Sequence, residues 1–333
     1  MRRLYARVCP GAWLRPSFAD LLLVSLIAWL FVAGEGWTVL LADGDTGWHI
    51  RTGDWILQTR SIPTHDIFSF SRSGEPWFAW EWLSDVIFSL VNRGWGLAGV
   101  AVLTGCVLAL AALVVFGHML WRGASVMVAL ATVLVVVSAS SIHYLARPHI
   151  FTLLLLPLSL WMVERDRRKP SPAIWLLVPL SVVWVNLHGG FFALPLCLAV
   201  LAAGRGVQDW MDREDRRPDW SGLGRLASLG GATAAASLVN PYGVGLHQHI
   251  WSYMRSDWIR NAVDEFQSPR FRSENLLHFE LLLLVALLLT GWLAGRRQVA
   301  DALLVLTWLT WLWARYATCL CLCWSQLPWS PPR

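Results

Sequence analysis

Apolar runs long enough to cross a lipid bilayer recur along the whole of this chain, and no other feature restricts its fold as severely. Hydrocarbon offers no partner to a bare backbone N–H or C=O, so a spanning segment must satisfy these groups internally, as a helix. The alternating apolar–polar pattern of a membrane β-barrel is absent from the sequence. Hydrophobic residues make up 56% of the chain and charged residues 15%, which excludes an ordinary soluble globular domain. The expected fold is all-α, a polytopic transmembrane helical bundle of about nine spans. Spans are predicted at about 20–42, 97–120, 125–143, 149–163, 172–187, 190–204, 226–239, 279–294 and 299–315, with ends good to roughly 3 residues. The stretch Glu81–Trp95 reads as an interfacial helix or a further half-span.

Basic residues orient the bundle. They gather at Arg2–Arg15, Arg122, Glu164–Pro170, Arg205–Trp220 and Arg296–Arg297. With nine spans all of these clusters fall on one side, which the positive-inside rule makes cytoplasmic. Arg2, Arg3 and Arg7 precede the first apolar run as in a signal peptide. The run continues through "WTVLLA" to Ala42, so a retained anchor with a cytoplasmic N-terminus is expected. The net charge of +5 then reflects topology and does not imply a nucleic-acid partner. The six cysteines form no zinc or redox framework.

The opposite, extracytoplasmic face receives residues 43–96, "HYLARPH", "NLHGG" and the segment that opens "NPYG" at Asn240. Eight of the nine histidines fall there, so the polar chemistry is expected at that face. Three regions follow: a cytoplasmic segment 1–19, a transmembrane domain 20–315 with its long outer loop 43–96, and an atypical tail 316–333.

The loop opens "ADGDTGWHIRTGDWIL". Asp43 and Asp45 are close enough to share a divalent metal, or for one to act as a base while the other orients an acceptor. An aspartate ahead of a helix can equally be only a cap. In a helix from Asp45, His49 lies one turn on and is the third candidate metal ligand, with Arg51 a candidate substrate contact. Arg147 could clamp a phosphate with His149 assisting, or snorkel to headgroups. Asn186 and His188 occupy a tight turn in which Asn186 could be only a helix cap. Asn240 precedes Pro241 in a turn signal, and Glu265 is a further possible carboxylate.

Several motifs carry a family resemblance: "DGDTGWH", "GDWIL", "IPTHDIFSF" and "PWFAWEWL", with "RPHIFTLLLL", "NLHGGF", "NPYG" and "EFQSP" further on. Across roughly Leu21–Arg315 the chain resembles the GT-C superfamily of membrane glycosyltransferases, as found in bacterial multi-span proteins. The resemblance implies an inner-membrane enzyme that moves a sugar, with inversion, from a polyprenyl-phosphate donor to an acceptor the sequence does not specify. In that superfamily an acidic residue of the first outer loop is base or metal ligand. That role would fall on Asp43 or Asp45, with Mg2+ or Mn2+ as the implied metal. The ending "ARYATCLCLCWSQLPWSPPR" departs from the pattern and reads as truncated or frameshifted after about Arg315. A multi-span transporter and a non-catalytic relative of the enzymes are the competing readings.

Overall fold

A helix occupies each of the nine predicted apolar segments, because every one combines strong helix formers with an apolar surface that needs a neighbour. The computed structural model describes residues 17–32, 36–214, 219–263 and 277–314. Glu265, most of the expected cytoplasmic segment and the tail 316–333 lie outside the described residues. Within them the structure is all-helical, apart from one isolated bridge between His65 and Pro76.

Among the described residues, two helical stretches are long and apolar enough to cross a membrane, Trp82–Trp121 and Gly189–Met211. The shorter apolar helices run Phe18–Phe31, Val126–Ser140, Pro172–Leu187, Phe279–Gly295 and Val299–Leu309. The predicted segment 20–42 is not a single helix. It holds α1 (Phe18–Val32) and the one-turn α2 (Trp37–Leu40). Gly36 before α2 has φ 58°, and a Cβ there would lie 2.5 Å from the Phe31 carbonyl oxygen, so the helix cannot simply continue.

The outer loop begins with α3 (Asp45–Thr59). α4 (Trp82–Trp121) follows and is itself two helices, since Gly96 at φ 64° and ψ −166° breaks it. Its first leg, the stretch expected to be interfacial or a half-span, lies along α3. Gly53 makes that contact possible, because a Cβ there would sit 2.0 Å from the Asp85 carbonyl oxygen. Ser89 Oγ and Arg93 Nε both donate to Asp54 Oδ1 at 2.8 Å and tie the same two helices.

α5 (Val126–Ser140), α6 (His149–Arg168), α7 (Leu177–Leu187) and α8 (Ala193–Met211) follow, with α9 (Trp220–Ala236) beyond them. Short α10 (Val244–Arg255) and α11 (Asp257–Ala262) occupy the segment expected as an outer loop, and α12 (Leu277–Gly295) and α13 (Val299–Ala314) end the described chain. Two cores result. Phe88, Val100, Phe116 and Ile150 centre one on α4; Trp184, Leu194, Leu201 and Leu304 centre the other on α7, α8 and α13. α6 serves both, with Ile150 in the first and Leu156 and Leu160 in the second.

The α3–α4 contact is open to a direct test. Gly53→Ala should destabilise the fold by about 1–3 kcal/mol through overpacking. Gly47 in the same helix has nothing within 4 Å of a built Cβ. Gly47→Ala should therefore be neutral or stabilise by up to about 1 kcal/mol. Thermal unfolding of the two variants in detergent checks the difference.

Candidate functional site

Three chain segments meet where α3 begins. The Ala146 amide donates to the Leu40 carbonyl at 2.7 Å, and Thr46 Oγ1 donates to the Ala146 carbonyl at 3.0 Å. These bonds hold the turn before α6 against the α2–α3 junction and bring Arg147 to the two aspartates. Asp43 Oδ1 accepts the Asp45 amide at 2.8 Å, the capping role open to an aspartate at that place. Its other oxygen faces Arg147 Nη1 at 3.2 Å, and Asp45 Oδ2 lies 2.7 Å from Arg147 Nη2. One guanidinium thus bridges two carboxylates a residue apart. Asp45 also stands in the first turn of α3, where the helix dipole favours negative charge.

Beneath the bridge lies a second set of ionisable groups. His49 Nδ1 is 2.6 Å from Asp85 Oδ1, and its Nε2 faces Glu81 Oε2 at 3.8 Å. His188 Nε2 faces the other Glu81 oxygen at 3.5 Å. His188 Nδ1 accepts the Gly190 amide at 3.0 Å and lies 2.8 Å from Thr152 Oγ1. Thr152 Oγ1 in turn accepts Trp184 Nε1 at 2.8 Å. With Nδ1 an acceptor, the neutral ring carries its proton on Nε2, aimed at Glu81. His149 Nε2 lies 2.6 Å from the His143 carbonyl, and its ring centre is 6.4 Å from that of His188.

Burial governs the protonation of this layer. Desolvation, aided by the charge of Arg147, holds His49 well below the usual histidine range. Desolvation likewise pushes His188 down to about 3. It pushes the Glu81 carboxyl up to about 8, against the opposing pull of Arg147 and the Gly189 amide. At neutral pH both histidines are neutral and Glu81 is largely protonated.

The other expected residues divide. Asn186 is structural: its side chain donates to the Val182 and Val239 carbonyls at 2.7 and 3.0 Å and accepts Trp82 Nε1 at 2.7 Å. Asn240 braces its own turn, donating to the Ser237 and Gly243 carbonyls and accepting the Tyr242 amide. That turn matters indirectly, since Tyr242 Oη accepts the Ala79 amide at 2.8 Å and donates to the Pro63 carbonyl. The "NPYG" motif thereby fastens the loop that carries Glu81. Arg51 is exposed on α3, outside these ion pairs.

The expected metal set Asp43, Asp45 and His49 is not assembled. His49 turns to Asp85, and the two aspartates hold a guanidinium that a metal would have to displace. Among the described residues no three His, Cys, Asp or Glu side chains form a metal-binding group. Cavities of about 640 and 310 Å³ lie at the far end of α6 and α8 and include none of these carboxylates. Glu81 and Asp85 were not singled out from the sequence. Their signal was present in "EWLSD", two carboxylates one turn apart at a helix start.

No family model, no curated protein and no solved structure matches the chain.

The raised Glu81 value has a consequence for stability. Between about 4.5 and 8 the folded state holds a proton that the unfolded state has released, so stability falls as pH rises through that window and levels off above it. Glu81→Gln should flatten this slope, as read from unfolding midpoints of wild type and variant across pH 5–9.

Proposed function

We propose that this chain is a multi-span membrane glycosyltransferase of the GT-C type, crossing the membrane about nine times with its N-terminus in the cytoplasm. It would transfer a sugar from a polyprenyl-phosphate donor on the extracytoplasmic face of a bacterial inner membrane. The observation that carries the reading is the Asp43–Arg147–Asp45 bridge above the Glu81 layer.

In this reading the donor phosphate competes with the aspartates for Arg147, whose planar fork suits a phosphate as well as a carboxylate. As the guanidinium turns to the phosphate, one aspartate is released as a base. It takes the proton of the acceptor hydroxyl, and the oxygen attacks the anomeric carbon from the face opposite the leaving group. The bond from that carbon to the phosphate oxygen breaks, and the lipid phosphate departs with the electron pair, its charge stabilised by Arg147. The neutral His188 and protonated Glu81 beneath add no competing charge to that step. Arg147 supplies positive charge for this step.

Asp43→Asn and Asp45→Asn, made separately, should leave helix content and membrane insertion intact. At least one should lower transfer from polyprenyl-phosphate sugars by about 10²-fold or more. Full activity in both variants would overturn the assignment. Transfer should also persist in EDTA, and its loss there with recovery on adding Mg2+ or Mn2+ would restore a metal to the site.

A proton-coupled transporter is the second reading. It is favoured by Asp85, which is fully buried in α4 with Oδ2 unpartnered. Substrate flux in proteoliposomes, abolished by Asp85→Asn and unaffected by Asp45→Asn, would select it.

A further inference from the structure

α12 has two unlike faces. Phe279, Leu282, Ala286, Leu289 and Leu293 turn into the second core and are no more than 8% exposed. Leu277, Leu281, Leu284 and Leu288 stand on the other side, 69, 45, 55 and 65% exposed, and Trp292 continues their line at 38%. Steps of three and four residues keep these side chains in one stripe down the helix. From Leu277 to Trp292 the stripe runs about 22 Å. A contiguous apolar surface of this extent marks a contact with lipid or with protein.

The stripe ends in chemistry of another kind. Arg296, just past the helix, folds back so that its guanidinium lies over the Trp292 ring, 4.2 Å from the centroid. Arg296 is exposed, and among the described residues no carboxylate pairs with it. Its neighbour Arg297 does pair, with Asp212 at 3.3 Å. The arrangement recurs at the end of α8, where the Arg213 guanidinium lies 5.5 Å from the centre of the Trp210 ring and Trp210 is 65% exposed. The two helix ends are tied together, since the Val299 amide donates to Gln208 Oε1 at 3.1 Å and Arg297 Nη1 donates to Asp212 Oδ1. Both indole–guanidinium pairs therefore stand at one level of the bundle, at the end opposite the Arg147 bridge. A third pair, Arg255 over Trp251 at 4.7 Å, belongs to the bridge end, on α10, whose His249 stacks on Phe78 close to Glu81.

We propose that α12 binds an anionic phospholipid at its C-terminal end, with the phosphate on Arg296 beside Trp292 and an acyl chain along Leu288, Leu284 and Leu281. Half of a hydrocarbon core is about 15 Å, and the helix from Trp292 back to Leu281 spans about 16 Å. Leucine gives way to indole and then to guanidinium in the order in which hydrocarbon gives way to interface and headgroup. The same change on α8 at the same level favours a bilayer, which meets every helix at one depth, over a single partner helix. Arg296 carries the charge that no carboxylate of the fold takes up, and a guanidinium recognises phosphate well. A zwitterionic headgroup would set its own cation beside Arg296, so a net negative lipid is preferred. The proposal rests on the membrane-crossing part of the reading above and is independent of the transferase chemistry.

The test uses the full chain in vesicles holding equal amounts of phosphatidylglycerol and phosphatidylcholine with the same acyl chains. Benzoylphenylalanine, a photo-crosslinker, is placed at Leu284, Leu288 or Leu277 in separate variants, and adducts are identified by mass. Leu284 and Leu288 should yield lipid adducts. At Leu288 phosphatidylglycerol should exceed phosphatidylcholine about fivefold, and the excess should shrink as salt is raised. Arg296→Gln should bring that ratio close to one, and Arg296→Lys should keep most of it. The ratio at Leu277, in the opposite leaflet, should not respond to Arg296→Gln. Helix content shows that each variant is folded, and carbonate washing shows whether the chain is inserted. A folded chain that washes off the vesicles would overturn the membrane reading and this proposal together. An inserted chain that crosslinks at Leu284 and Leu288 to protein, within itself or to a second copy, would overturn this proposal alone. Equal adducts of the two lipids at Leu288, or a ratio there that Arg296→Gln leaves unchanged, would do the same.

Discussion

The close approach of α3 to α4 at Gly53 is the contact on which the candidate site depends. Only a residue without a Cβ lets α3 lie against the Asp85 backbone. That proximity sets His49 on Asp85 and Glu81, and it places the first turn of α3 where Arg147 can reach it. Polar contacts reinforce that packing: Asp54 accepts from Ser89 and Arg93, and Ser84 donates to the Leu187 carbonyl.

Electrostatics then divides the molecule into two unlike ends. At the Arg147 end, two exposed-side carboxylates share one guanidinium, and the layer below is kept largely uncharged by burial. His49 and His188 stay neutral and Glu81 holds its proton for the same reason: water is absent and charge is costly. At the other end the charges remain, because the arginines of the larger cavity find carboxylates and the cavity is open to solvent.

Much of the helix plan was legible from apolar run length alone. The runs marked the helices well, but not their interruptions. Gly36 lay inside the predicted run 20–42, yet its positive φ breaks that run, whereas the break at Gly96 falls where the predicted span 97–120 begins. α10 and α11 were hidden because their polar residues suggested a loop. Within the site, Asp43, Asp45, Arg147, His149 and His188 were named from residue type and position. Asn186 and Asn240 were named for the same reasons and prove to be hydrogen-bond braces. Residue type does not say which way a side chain turns.

The sequence by itself determined an all-helical chain with recurring apolar segments, because hydropathy and helix propensity are properties of each residue alone. Only the tertiary structure decided that Arg147 bridges the aspartates, that His49 pairs with Glu81 and Asp85, and that scattered arginines line one cleft at the far end of α6. Each of these joins residues about 35 to 135 positions apart, and such pairings are set by how helices pack, not by local pattern.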